Sequence, residues 1–319
     1  MRLSLIGGCF RIDARSTSRA SGAMERKDHM DAIGAAALIA FALHLAFNQV
    51  VIKVTAGGFG PVFQAGLRSV GAVLVLYLWM RLRGVSFSVP RAAWAGGIVS
   101  GLFFALEFMC LFTALDTTTV SRASVIFYSM PVWLTLIAHV FFPGERLTPA
   151  KIAGLLLAMA GVAIALADRG GGSVSWAGDL LALTGALCWA GIVVCVRITP
   201  LSEVPPAQQL MFQVLVSAPI LLLLAPFLGP LLRDVQPIHI AGLLFQIVAI
   251  ASLGFLAWFW LMTIYPASSV ASFSFLSPVF SVILGWLLLS EDVAPSVWAA
   301  LVLVASGIYL INRKPRSPA

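Results

Sequence analysis

What this sequence lacks most is charge. Asp, Glu, Lys and Arg supply only 10% of its 319 residues, while 60% are hydrophobic. Ordinary soluble domains sit near about 25% and about 45–50%. So few charges cannot cover a water-facing surface of this size. A soluble globular fold is excluded, and an all-α integral membrane protein is expected. Cysteine is also sparse. Cys9 lies in a polar stretch and Cys110, Cys188 and Cys195 lie in apolar ones, so neither a disulfide framework nor a metal site is expected. Cys188 and Cys195 share a helix face, and packing accounts for them better than ligation.

The motifs of catalysis are missing as well. There is no Gly-x-x-x-x-Gly-Lys-Ser/Thr run to drive transport with ATP, no His-Glu-x-x-His, no Gly-x-Ser-x-Gly and no pair of intramembrane aspartates. A membrane-embedded enzyme therefore gives way to a transporter, with no catalytic residue and no cofactor. Short connections between apolar runs leave no room for an inserted soluble domain.

What is present is a series of apolar segments. A membrane-crossing helix needs about 20 apolar residues. Gly, Pro and charge clusters delimit ten such segments: 32–54, 60–80, 92–115, 118–141, 148–167, 177–199, 207–232, 238–263, 267–289 and 295–312. Residues 1–31 form a polar tail that is expected to be disordered. Its "LSLIGG" piece is too short for a signal-peptide core, and Met24 or Met30 would also serve as starts. Residues 313–319 form a basic tail.

Lysine and arginine orient the chain. With the N-terminus inside, fifteen of them fall in cytoplasmic segments: six in the tail, then Arg81, Arg83, Arg91, Arg146, Lys151, Arg197, Arg313, Lys314 and Arg316. Lys53, Arg122, Arg169 and Arg233 fall outside, and Arg68 lies within a span. Both termini are thus expected in the cytoplasm of a multi-pass inner-membrane protein. The net charge of +7 reflects this topology and anionic lipid, and gives no case for nucleic acid. A monomer is expected.

The two halves repeat. Glu145, Pro149, Leu155, Leu157 and Gly161 match Glu291, Pro295, Leu301, Leu303 and Gly307 at one spacing. Pro131 matches Pro278, Pro61 and Gln64 match Pro206 and Gln209, and Lys53 matches Arg197, all within a residue or two of that offset. Five spans per half is odd, so the second half must enter the membrane upside down. The expected architecture is two inverted five-helix repeats, residues 32–167 and 177–312, with a site near the midplane.

The pattern Pro…Glu-(Arg/Asp)…Pro…Gly closing each half, the run "ALEFMCLFTALDTTTVSRASVIFYSMPVWLTLIAHVFFPGERLTP" and Arg68 in "AGLRS" resemble the EamA family of the drug/metabolite transporter superfamily, over roughly residues 32–312. One departure is Leu45, where the family often has tryptophan before an asparagine; the second half keeps "CWAG" at Cys188–Gly191. The resemblance implies export of amino acids, neutral and aromatic ones among them, or of small metabolites. Relatives in the superfamily that move nucleotides, sugars, vitamins or S-adenosylmethionine keep other substrates open.

Candidate residues follow from polarity at depth. Glu107, the one clear acid read within the spans, sits about 12 Å from the outer end of its helix at 1.5 Å per residue. Arg68 and His44 lie at similar depth. Two readings of Glu107 stand side by side: an ion pair with Arg68 that staples helices, or a site for a proton or a substrate amine. His44 and Asn48, Gln64 and Arg68, and Gln209 and Gln213 are spaced i, i+4 and each pair shares a face, which points to a wet cavity. His44 also fits a neutral ring bonded to a neighbouring backbone. Tyr128, Trp133 and Trp189 are aromatic groups deep enough to meet a substrate, or to pack. Trp258 and Trp260 fit an interfacial belt. Pro131 and Pro278 fall mid-span and free the carbonyls of Phe127 and Ser274; Ser121, Ser124, Ser129, Ser268, Ser269, Ser272 and Ser277 are near enough to satisfy them. Their equivalence in the repeat suggests paired bends that gate the cavity. Gly97-x-x-x-Gly101 is a close-packing motif, and Thr148-Pro149 a helix start.

Overall fold

The computed structural model describes residues 31–142, 147–167, 175–254, 257, 261, 264, 273 and 275–312. The tails at 1–30 and 313–319, Glu145, Trp258, Trp260, Ser268, Ser269, Ser272 and Ser274 lie outside the described residues.

Helices begin where the chain offers caps or prolines. Asp31 Oδ1 accepts the Gly34 N–H at 2.8 Å and opens α1 (Ala32–Thr55). Proline supplies the first residue of α2 (Pro61–Leu82), α6 (Pro149–Ala167), α8 (Pro206–Leu224), α9 (Pro237–Phe245) and α11 (Pro295–Asn312). Its missing N–H would have no helical partner there. Thr148 Oγ1 accepts the Lys151 N–H, as its place before Pro149 suggests. Between these run α3 (Trp94–Thr117), α4 (Val120–Phe127), α5 (Met130–Phe141), α7 (Trp176–Ile198) and α10 (Leu276–Leu289). A π-helical segment, Gln246–Gly254, continues α9.

Among the described residues seven helical stretches are long and apolar enough to cross a membrane, with α4 and α5 counted together, and Pro237–Ser252, Leu276–Leu289 and Pro295–Ile311 are shorter apolar helices. The segment expected at 118–141 is two helices. Pro131 is the second residue of α5 and Pro278 the third of α10. Both therefore sit in a first turn, where no backbone donor is needed, and not in mid-helix as expected. Ser129 Oγ donates to the Ile126 carbonyl at 2.6 Å and accepts from Trp133 Nε1 at 3.0 Å, which fills the break.

The two halves do not form separate bundles. The extensive helix contacts each join one half to the other: α6 with α11, α3 with α7 and α8, α2 with α8, and α1 with α10. Small residues permit this. A methyl group on Gly97 would meet the Phe212 ring at 2.7 Å, and one on Gly101 would meet Val216 at 2.5 Å, so the motif on α3 seats α8. Gly154 and Gly161 bring α6 so near α11 that a methyl group on either would lie 2.7 Å from a backbone oxygen, that of Gly307 or Ala300.

One face of the molecule, where α1 ends and α2 begins, is laced by its loops. Phe59 pairs with Leu232, Gly60 N donates to the Leu231 carbonyl at 2.9 Å, and Arg233 N donates to the Gly58 carbonyl at 2.9 Å. Gly60 is required because any Cβ would strike the Pro230 carbonyl.

Candidate functional site

Buried polar groups gather beneath that laced face. Along their helices Arg68 lies about 10 Å in and Glu107 about 15 Å. Arg68 on α2 is 4% exposed and Glu107 on α3 is 5% exposed. They do not form the ion pair that the first of the two readings calls for. The Arg68 guanidinium instead lies 4.0 Å from the centre of the Phe108 ring and 5.6 Å from that of Phe112, and its Nη1 is buried without a hydrogen-bond partner. A desolvated cation–π contact of this kind is worth about 2 kcal/mol. Glu107 makes no hydrogen bond or ion pair among the described residues.

Close by, α1 meets α4. Gln49 Nε2 donates to the Tyr128 hydroxyl at 3.2 Å, while Gln49 Oε1 and Asn48 Oδ1 are buried without partners. The Tyr128 ring stands edge-on to half-buried Trp189, 6.3 Å away, and Phe127 stacks on Trp189 at 5.3 Å. Asn48, Tyr128 and Trp189 thus lie in one region of polar atoms and rings. Gln49 was not singled out by i, i+4 spacing, because it is the residue after Asn48 and its partner lies 79 positions away.

The remaining sequence candidates go elsewhere. His44 Nε2 meets the Ala249 carbonyl of the π-helix at 3.1 Å, the backbone-bonded arrangement. Gln64 is fully buried; it donates to the Ile52 carbonyl and to Gln246 Oε1, and Gln246 donates on to Thr55. Gln209 donates to the Leu201 and Val204 carbonyls just before its helix. Gln213 donates to Ser100 Oγ at 2.7 Å, bridging α8 and α3. His44, Gln64, Gln209 and Gln213 thus each have a hydrogen-bond partner, while Gln64 Oε1 stays buried without one. A common face says which way a side chain points, not what it meets. Two cavities, of about 400 Å³ beside Phe103, Gly191 and Cys195 and about 360 Å³ beside Phe275 and Tyr309, contain none of these residues.

Charges gather at the laced face, and the carboxylates of Asp179, Glu291 and Asp116 are held across the two halves. Arg122, counted above as a loop cation, is in the first turn of α4 and only 2% exposed. Its Nε and Nη2 donate to both oxygens of Asp179 on α7, at 2.8–3.1 Å, and Asp179 is fully buried. Glu107 is thus not the one acid in the spans. Asp179 could have been noticed, since it too interrupts an apolar run, "AGDLLAL". The Glu291 carboxylate accepts from Val120 N at 2.6 Å, Ser121 N at 2.9 Å and Ser121 Oγ at 2.6 Å, closing the N-terminus of α4. Lys53 donates to the Leu115 and Thr118 carbonyls at the C-terminal end of α3. Arg233 binds Asp116 through two hydrogen bonds of 2.7 and 2.8 Å and donates to the Ala56 carbonyl. That hydrogen bonding holds the Arg233 guanidinium above its ordinary pKa.

An inward-facing set of buried polar groups inside a duplicated, apolar, all-helical chain is the build of a transporter, and comparison with known proteins decides the family. The EamA-like transporter family matches residues 32–167 and again 176–313. The chain belongs to that family. Among EamA-like relatives, the uncharacterized transporter YvbV of Bacillus subtilis is 30% identical over 262 residues, 81% of this chain and 84% of that protein. The aromatic amino acid exporter YddG of Ancylobacter novellus is 32% identical over 141 residues, 43% of this chain and 48% of that one. The uncharacterized inner membrane transporter YedA of Escherichia coli K12 is 25% identical, over 86% of this chain and 92% of its own. A crystal structure at 25% identity superposes with a TM-score of 0.61, covering 86% of this chain and 96% of that one. This EamA-like protein is a multi-pass membrane protein of a transporter family.

Proposed function

We propose that the protein is a secondary transporter that exports neutral or aromatic amino acids, or closely related small metabolites, across the inner membrane by alternating access. One observation carries the reading: unpartnered polar atoms of Asn48, Gln49 and Arg68, with Glu107, lie buried under a face that ion pairs and hydrogen bonds lace shut across both repeats. Polar atoms are left unpaired in a membrane core where they wait for water or cargo. Ten spans as two inverted repeats, with both termini cytoplasmic, put the laced face outside and the chain in a state closed to the exterior. Two halves of opposite orientation can pack in two nearly equivalent ways, one open to each side. The protein acts alone, without a cofactor, on a small molecule; proton coupling through Glu107 fits its burial.

The substrate class draws support from the exporter of aromatic amino acids among the relatives, which matches part of the chain. The deciding experiment is flux: purified protein in liposomes, offered labelled amino acids, nucleosides and vitamins in parallel. Saturable amino acid uptake is the expected result. Uptake of nucleosides, vitamins or S-adenosylmethionine in its place overturns the substrate class, and absence of any flux overturns transport.

A further inference from the structure

Arg68 and Glu107 lie on helices that pack against each other, yet the guanidinium and the carboxyl group do not meet. The same molecule shows what a structural pair looks like: Arg122 and Asp179, equally buried, close to 2.8 Å with a two-oxygen grip. Arg68 and Glu107 lie within electrostatic reach of one another but fall short of ion-pair contact. The cation rests on Phe108 with Nη1 unpartnered, and the carboxylate is hydrogen-bonded to nothing described. A buried guanidinium and a buried carboxyl group left without partners are costly unless a third group completes both. That group must offer an anion to a guanidinium and a cation to a carboxylate at short separation, beside aromatic rings.

We propose that Arg68 binds the carboxylate and Glu107 the ammonium of one α-amino acid, so that cargo, not a direct contact, completes the pair. This rests on the amino acid reading of the preceding section. The Phe108 ring, 4.0 Å from the guanidinium carbon, seats the cation, and a planar fork is what a carboxylate needs. Other ionisable groups near Glu107 are Cys110 on its own helix and Cys188 on α7; neither offers a positive charge, and among the described residues Arg68 is the cation that acts on it.

The test compares phenylalanine with phenylalaninamide and with N-acetylphenylalanine, as competitors of labelled phenylalanine uptake in liposomes and as ligands that raise the melting temperature of purified protein. The wild-type protein should bind both analogues about tenfold to hundredfold more weakly than phenylalanine, the loss of one charge-assisted hydrogen bond. Glu107→Gln should erase the penalty for N-acetylation and keep that for the amide. Arg68→Gln should do the reverse, and Arg68→Lys, which keeps charge but not the fork, should restore part of the acid preference. A wild-type protein that accepts acid and amide alike, or variants that keep the wild-type preference order, overturns the assignment while leaving amino acid transport standing. No binding or uptake of any amino acid overturns both.

Discussion

Arg122 and Asp179 join the first turn of α4 to α7 through a two-oxygen ion pair that water does not reach. The pair connects the two repeats at the laced face, so its strength sets how firmly that face holds. Removing one partner leaves a buried charge unopposed, at about 3–5 kcal/mol. Asp179→Asn and Arg122→Met should each lower the melting temperature in detergent sharply, and Asp179→Leu with Arg122→Met should regain much of the loss. A double variant whose loss equals the sum of the two single losses would show that the two residues act independently.

Glu291 holds α4 by its backbone. An anion at a helix N-terminus satisfies donors that otherwise face nothing and favours the positive end of the dipole. Glu291→Ala should therefore loosen the α4 end and expose buried Thr118. In a background without native cysteines, Thr118→Cys should react with a membrane-impermeant maleimide several times faster once Glu291 is replaced. An unchanged rate removes Glu291 from the closure.

Arg233 gives a statement about pH. A cation whose pKa is raised on folding stabilises below its unfolded value and loses that contribution only as pH climbs through the folded one. For an arginine both lie far above neutrality. The destabilisation by Arg233→Gln should thus be constant across the neutral range. Because the pair is 31% and 20% exposed, its ionic part should be at most about 1 kcal/mol and should shrink with added salt. A loss that changes steeply near neutral pH would assign the effect to another group.

Pro131 lies in the first turn of α5, directly after the break at Tyr128 and Ser129. Alanine there restores a backbone donor and lets α4 run on into α5. Pro131→Ala with Pro278→Ala should fold and insert normally but turn over more slowly, as measured by initial flux in liposomes. Undiminished flux would make the breaks fixed architecture.

Orientation is open to direct test. Reporter fusions after residue 88 should read cytoplasmic and after residue 172 periplasmic, as the lysine and arginine bias requires. The opposite sign at either point breaks the arrangement of ten spans.

Helix starts were legible because they are local. Pro61, Pro149, Pro206 and Pro295 act within one turn, and each opens the helix that its position suggests. The duplication was legible for the same reason, as spacing along one chain. The site was less so. Gln64 and Gln209 are repeat equivalents, yet one is locked between helices and the other ties down the loop before its own helix. Asp179 and Arg122 are 57 positions apart, and only packing of α4 on α7 shows that they meet. Glu291 stood out as a repeat anchor, but its partners are backbone donors, which carry no residue signature. Arg68 beside Glu107 had the right neighbours for an ion pair; the Phe108 ring, adjacent in sequence to Glu107, captured the cation instead.

The contact between α6 and α11 has a mechanical meaning. Their backbones touch at Gly154, Gly161 and Gly307 with no space for even one more carbon atom. Each helix is the last of its repeat, so the two ends of the duplicated unit are welded along a single seam. Sliding along that seam would drive backbone carbonyls into the facing helix, so the seam resists shear.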